Sequence, residues 1–352
     1  MSMRIAVIGG TGNVGTSVIE SLARDERVAS IVGLARRLPA WQPPKTEWAR
    51  ADITRDDLVP HLDGADVAIH LAWAIQPSRD EAELHRVNVT GSERVFDAAA
   101  RAGVGAIVYA SSIGAYSPGP KDRGVDESWP TDGIPSSFYS RHKAAVESIL
   151  DRFEDDHPEV RVVRLRPGLI MKAEAAEEIR RLFAGPFLPS FAVRPERIPI
   201  VPDIPGVRVQ AVHSRDVGEA YRLAATSGVR GAFNIAAAPV VDPSAFASHI
   251  GARTVPLPAA VARALADLTW RARLQPTPPG WLDMALECPI MDTARAREEL
   301  GWTPEHDALT ALAEVMEGMS EATGMPTPPL DPETSGRVRS REFTSGVGAK
   351  NP

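Results

Sequence analysis

Short apolar runs recur through the first half of the chain, at residues 5–8, 31–34, 67–71, 107–109 and 160–165, each bounded by turn residues and followed by a segment of helical length. The stretches between them, including 14–23, 81–102 and 137–153, are amphipathic. Strands covered on both faces read as unbroken Val/Ile runs, so this alternation predicts strand-helix-strand units and a parallel sheet flanked by helices. Beyond Pro167 the rhythm changes. Prolines at 186, 189, 195, 199, 202 and 205 interrupt a region that also holds Phe183, Phe187, Leu188 and Phe191, a composition suited to a loop-rich second lobe. One patch returns to the sheet pattern, 207–212 as strand and 216–225 as helix. Residues 294–300 read as a helix stopped by Gly301, with Pro304 just beyond. From Met325 onward Pro, Gly, Ser and charge dominate without apolar periodicity, which predicts a flexible tail over 325–352.

Composition narrows the class. The 352 residues suffice for one large or two modest domains, and 43% hydrophobic with 24% charged residues is globular usage. The net charge of −7, with no long basic run, argues against nucleic acid as a partner. The single cysteine, Cys288, excludes an internal disulfide, and no Cys/His framework suggests a metal. The opening Met1-Ser2-Met3-Arg4 leads at once into a short strand-like run, too brief for the core of a signal peptide, and no apolar stretch approaches the roughly 20 residues of a membrane span. A cytoplasmic protein without membrane contact is the expectation.

Gly9-Gly10-Thr11-Gly12-Asn13-Val14-Gly15 follows the first predicted strand and opens a helix. Gly9 permits the tight turn, Gly12 lets the backbone approach a pyrophosphate, and Gly15 allows close helix packing, while amides at the helix start face the phosphates. Tyr139 and Lys143 lie four residues apart in a predicted helix and so share a face. A phenol is a poor base at neutral pH, but a nearby ammonium stabilises its ionised form.

The spacing Gly-x-x-Gly-x-x-Gly, together with Tyr139-Ser140-Arg141-His142-Lys143, resembles the extended branch of the short-chain dehydrogenase/reductase superfamily, the NAD(P)-dependent epimerase/dehydratase family. The resemblance runs from residue 4 to about residue 320. It implies an α/β fold, a Rossmann-type doubly wound parallel sheet with a smaller C-terminal substrate lobe. Further matches follow in order. Ala51-Asp52-Ile53 stands where the family's aspartate contacts adenine, and His70-Leu71-Ala72 resembles the motif beside the cofactor ribose, followed here by Trp73 where many relatives carry a small residue. Asn88-Val89-Thr90-Gly91 matches the helix whose asparagine lies near the cofactor, and Arg166-Pro167 the end of the sixth strand. Val212-His213-Ser214-Arg215-Asp216-Val217 matches a late strand-to-helix junction, and Leu300-Gly301-Trp302-Thr303-Pro304 the carboxyl-terminal Leu-Gly-Trp-x-Pro.

At the end of the second strand, Leu34-Ala35-Arg36-Arg37 places Ala35 where an NAD-selecting acid would stand, and the two guanidinium groups match a 2′-phosphate. NADP is therefore the expected cofactor, held by Gly9, Thr11, Gly12, Asn13, Val14 and Gly15, by Arg36 and Arg37, by Asp52 and Ile53, and by Leu71, Ala72, Trp73, Asn88, Lys143 and Pro167. The fifth strand ends in Ser111-Ser112, resembling the family's Ser-Ser-x-x-x-Tyr, in which the second hydroxyl is catalytic. Ser112, Tyr139 and Lys143 are the expected triad, with Ser111 the fallback for Ser112 and otherwise structural or cofactor-facing, His142 turned away from Tyr139, His70 structural or on the ribose side, and His213 at a packing junction.

The resulting reading is an NADP(H)-dependent oxidoreductase that interconverts a carbonyl and an alcohol. Two alternatives stand beside it, a nucleotide-sugar epimerase or dehydratase with tightly bound cofactor and a non-catalytic dinucleotide sensor. Residues 1–166 would form the cofactor domain, with a sheet-completing segment at about 207–236. The substrate lobe would comprise 167–206 and 237–324. A small molecule is the expected partner. A homodimer through a helix pair like the one containing Tyr139 is an option that the resemblance brings.

Overall fold

The computed structural model describes residues 2–187 and 193–335, with the single positions 341 and 347 beyond them. Leu188, Pro189 and Phe191 lie outside the described residues. The chain opens with β1 (Met3–Ile8), α1 (Asn13–Arg24), β2 (Val28–Ala35), β3 (Thr46–Arg50), a short α2 (Val59–Leu62) and β4 (Val67–His70). The predicted helix over 81–102 is three pieces: α3 (Glu81–His85), a π turn (Arg86–Thr90) and α4 (Gly91–Arg101). Then come β5 (Ala106–Ala110), β6 (Gly124–Val125), α5 (Phe138–Asp156), β7 (Arg161–Pro167), β8 (Leu169–Met171) and α6 (Ala176–Phe183). The remainder comprises β9 (Ile200–Asp203), β10 (Ala211–His213), α7 (Ser214–Thr226), β11 (Gly231–Ile235), α8 (Pro243–Ile250), β12 (Arg253–Pro256), α9 (Ala259–Arg271), α10 (Gly280–Glu287), β13 (Ile290–Met291), α11 (Ala294–Glu298) and α12 (Ala308–Glu321).

Seven strands form one parallel sheet in the order β11-β7-β5-β4-β1-β2-β3. Alternation along β1 explains its place. Ile5 and Val7 enter one core with Val18, Ile19 and Leu22 of α1 and Val217, Ala220 and Tyr221 of α7. Ala6 and Ile8 enter the other, with Val95 and Phe96 of α4 and Val146 and Leu150 of α5. Full burial of such side chains stabilises by about 1.5–3 kcal/mol each. Because strand order reverses between β1 and β4, their carboxyl ends open the crevice where ligands of such sheets bind.

One expected strand is shortened, one strand was not foreseen, and the start of the expected tail differs from its pattern. The strand predicted at 207–212 is only Ala211–His213, and it pairs with β8 in a small separate sheet, because Val209 is instead bridged to Val241. The strand that completes the main sheet is β11, against β7, within the expected segment 207–236. The edge strand β3, Thr-Glu-Trp-Ala-Arg, has no apolar run and could not be read from pattern. Finally, the start of the expected flexible tail is folded. Thr327 and Leu330 are buried, Thr327 Oγ1 donates to the Thr11 carbonyl at 2.9 Å, Trp41 donates its amide to the Pro326 carbonyl at 3.2 Å, and Arg181 donates to the Pro329 carbonyl at 2.7 Å. Backbone carbonyls give even a Pro-rich segment acceptors, which is why composition misjudged it. Among the described residues no helix is long and apolar enough to cross a membrane, and no cluster of His, Cys, Asp and Glu could hold a metal ion.

Candidate active site

The chain leaves β1 through Gly9, whose φ of 88° lies in the left-handed region. A Cβ there would stand 2.7 Å from the Ala72 backbone nitrogen, and one at Gly15 would stand 2.4 Å from the Gly9 carbonyl oxygen. Gly12 differs, since a Cβ would meet nothing nearer than the Gly9 carbonyl oxygen at 3.9 Å. It is the N-cap of α1, with no side-chain capping bond and no acidic residue in the first turn. The positive end of this 12-residue helix therefore suits an anion, and a carboxylate already stands there, since Glu178 of α6 accepts from the Asn13 amide. The pyrophosphate of a nicotinamide dinucleotide fits that cradle.

Other residues expected around the cofactor have local roles as well. Thr11 is buried under Thr327, and Val14 packs on the core of the α1 face. Asn13 Nδ2 donates to the Ile170 carbonyl at 3.0 Å, tying the glycine loop to β8. Asp52 accepts from the Thr54 amide at 2.9 Å and its hydroxyl at 2.7 Å, which stiffens the turn after β3. Ile53 is buried where Gly91 leaves room for it. Asn88, in the π turn, is fully buried and grips Ala74 twice, accepting its amide at 2.7 Å and donating to its carbonyl at 2.8 Å. It thus shapes the segment after β4 that carries Leu71, Ala72 and Trp73. Pro167 ends β7 beside Ile235. Arg36 and Arg37 are exposed in bends after β2.

The three residues expected to do chemistry are brought together. Ser137 caps α5 by accepting from the Ser140 amide, so the helix begins just before Tyr139. Ser112 follows β5 and accepts from the Gly114 amide at 3.0 Å. Gly114 is where Tyr139 passes, since a Cβ would lie 3.0 Å from Tyr139 Cε1. Burial pushes the Tyr139 phenol up to about 12, while its hydrogen bond with Ser112 pulls the other way. One turn on, Lys143 is buried and its Nζ donates to the Ala110 carbonyl at 2.6 Å. Burial holds its proton affinity well below that of an ordinary lysine, opposed by Glu147. Trp281 of α10 lies over the Tyr139 ring at 4.9 Å between centroids, and Trp73 meets it edge-on at 5.8 Å.

Among the described residues, the histidines make no hydrogen bond to this group. His142 packs against His85 and Phe138. His70 Nε2 bonds the Ser92 hydroxyl at 2.9 Å, and burial pushes the ring down to about 3. His213 stacks on His306 at 4.1 Å.

Beneath the triad lies a network that sequence reasoning missed. Glu147 is fully buried. It accepts from Arg166 Nε at 2.9 Å, Arg166 Nη2 and Arg164 Nη1 at 3.0 Å each, and the Ser111 hydroxyl. Arg166 continues to the Tyr116 hydroxyl at 3.1 Å, which donates to Asn234 Oδ1 at 2.6 Å. Burial alone would raise the Glu147 carboxyl, but Arg166, Arg164 and Ser111 outweigh it and bring it to about 2. A signal existed, because Glu147 falls one helical turn beyond Lys143. Nothing in the pattern pointed to Trp281, or to Lys172, which reaches from just after β8 to donate to Thr16 Oγ1 of α1 at 2.6 Å.

A glycine cradle and a Ser-Tyr-Lys group at the carboxyl edge of one parallel sheet define a dinucleotide-dependent enzyme. Residues 5–236 match the sequence profile of the NAD dependent epimerase/dehydratase family, and the chain belongs to it. It is an NAD(P)-dependent enzyme of the extended short-chain dehydrogenase/reductase type, acting on a small molecule. Among similar proteins, the decarboxylating sterol-4-alpha-carboxylate 3-dehydrogenase of Candida albicans is 30% identical over 175 residues, 47% of this chain and 49% of that protein. The match thus spans about half of that relative. An NAD-dependent glucose-6-phosphate dehydrogenase of Haloferax volcanii is 31% identical over 196 residues, 51% of this chain and 74% of that one. The Thermus thermophilus UDP-glucose 4-epimerase, solved in complex with NAD, superposes with a TM-score of 0.64 at 20% identity, covering 91% of this chain and 100% of that chain.

Two expectations are corrected by these findings. The relative and the solved structure that name a cofactor name NAD, which displaces NADP. The physical reason is that Arg36 and Arg37 are exposed, with the charge of Arg36 also felt by Asp52. Two guanidinium groups in a bend, one of them partly desolvated and repelled by the other, do not by themselves select a 2′-phosphate. The reading as an NADP(H)-dependent carbonyl-alcohol oxidoreductase gives way with it, the epimerase/dehydratase alternative being the better supported.

Proposed function

We propose that the protein is an NAD-dependent nucleotide-sugar epimerase or dehydratase, keeping its cofactor bound and returning it unchanged at the end of each turnover. The observation that carries this is the convergence of Ser112, Tyr139 and Lys143 beside the glycine cradle. The UDP-glucose 4-epimerase of the same fold supports the substrate class. Gly9, Gly12 and Gly15 shape the cradle for the pyrophosphate, and Asp52, Ile53 and Asn88 shape the walls. Bound NAD would supply a hydride acceptor. Tyr139 Oη takes the proton from a sugar hydroxyl and later gives it back, with its ionised form favoured by the Lys143 ammonium. Ser112 orients the same sugar oxygen. Residues 167–206 and 237–324 form the lobe that receives the substrate, with Trp281 closing over Tyr139.

Two measurements test this. Acid-released nucleotide from the purified or NAD-loaded protein should be NAD, and a panel of UDP- and dTDP-sugars should contain one converted to an epimer or a dehydrated keto sugar without net NADH. Accumulation of NADH in step with product would defeat the proposal.

A further inference from the structure

Among the described residues, Lys143 is a buried amine that forms no ion pair with a carboxylate. It is 2% exposed, and its one hydrogen bond among the described residues goes to the Ala110 carbonyl. The carboxylate one turn along α5, Glu147, is already held by Arg164 and Arg166. An ammonium removed from water without an anion loses its proton readily. What covers this one is the indole of Trp73, whose ring centroid lies 3.5 Å from Nζ, against 5.2 Å for Tyr109 and 5.7 Å for Tyr139. The groups facing the ammonium are Tyr139 and Glu147 from α5, Tyr109 from β5 and His70 from β4. Of these Glu147 carries charge, and it is shared with two arginines. An indole face attracts a cation through its quadrupole, most strongly where water is absent.

We propose that Trp73 is a positioning residue that keeps the Lys143 ammonium charged and beside Tyr139, its indole face standing in for the missing counter-ion. The inference rests on the reading of Tyr139 and Lys143 as an acid-base pair. Without the indole, Lys143 sheds its proton at lower pH, and the Tyr139 phenol no longer ionises against a neighbouring positive charge.

The test follows Tyr139 ionisation in the NAD-saturated protein by phenolate absorbance. Tyr139→Phe provides the blank, so the other tyrosines of the four, Tyr109, Tyr116 and Tyr221, cancel. Trp73→Leu should raise the midpoint by about one pH unit, a tenfold change in proton affinity, and Trp73→Phe by less. Should Trp73→Leu fail to fold, a fluorinated tryptophan placed at position 73 keeps the shape while draining the ring face, and the midpoint should climb with each added fluorine. A midpoint that stays fixed in the fluorinated protein, or in Trp73→Leu while thermal stability falls, means that Trp73 only packs, and overturns the inference. In a Lys143→Met background the Trp73 substitutions should add nothing. If Lys143→Met itself leaves the midpoint unchanged, or the wild-type protein binds no NAD, the acid-base reading fails first and is recognised as the cause.

Discussion

Two buried charges sit one turn apart on α5 and are handled in opposite ways. Glu147 receives two guanidinium groups and a hydroxyl, so nearly every lone pair is answered. Lys143 has one carbonyl and an aromatic face. A buried charge whose partners are complete is built to stay as it is, and losing a partner leaves an uncompensated ion. A charge left short of partners can exchange protons and bind a guest. The same helix therefore carries an anchor and, on the proposed reading, an active group, and their surroundings, more than their depth, tell them apart.

Substitutions can break that distinction, and the largest effect belongs to the active side. Tyr139→Phe and Lys143→Met should each lower turnover by about 10²–10⁴-fold, the usual worth of positioned proton transfer. Lys143→Met should at the same time leave thermal stability unchanged or raised, since it removes an unpaired buried charge. Comparing melting temperature with turnover for these variants checks both halves.

Glu147→Gln should behave in the reverse sense, costing about 3–5 kcal/mol in urea unfolding because Arg166 loses its anion. The same group gives a pH signature. Its carboxyl lies at about 2 in the folded chain against an ordinary 4.5, so the stability it contributes is present above 4.5 and is lost as pH falls toward 2. Wild-type protein should lose stability across that window more steeply than Glu147→Gln, as unfolding midpoints against pH would show.

The adjacent serines offer the finest division. Ser112→Ala should lower turnover by about 10²–10³-fold through loss of a donor at the reacting oxygen, with little change in melting. Ser111→Ala should instead cost about 1.5–3 kcal/mol of stability, the worth of a hydrogen bond to a charged group, seen by denaturant titration. If the two patterns were exchanged, the assignment of the pair would be reversed.

The glycine turn, five of the sheet strands and the Tyr-Lys pair were legible because each depends on residues close together in sequence, where period and turn chemistry dominate. β3 was not, since an edge strand with partly exposed residues needs no apolar run. The fold around Lys143 was legible only in part. The helical spacing puts Lys143 and Glu147 on one face, but Arg164 and Arg166 arrive from β7 and Trp73 from beyond β4, contacts that only the folded sheet creates. Cofactor choice failed for a related reason. An arginine pair in a loop has the right chemistry for a phosphate, yet its worth depends on its surroundings, and here Arg36 also acts on Asp52 while Arg37 is partly desolvated.

The bond between Thr327 and Thr11 closes a span of 316 positions. On the ribosome, where chains grow at roughly 5–20 residues per second, the glycine turn emerges early and waits on the order of tens of seconds for the segment that seals it. The bond therefore depends on a segment made long after the turn it seals, and the arrival of Thr327 sets the earliest moment at which the loop around Thr11 can be held from that side.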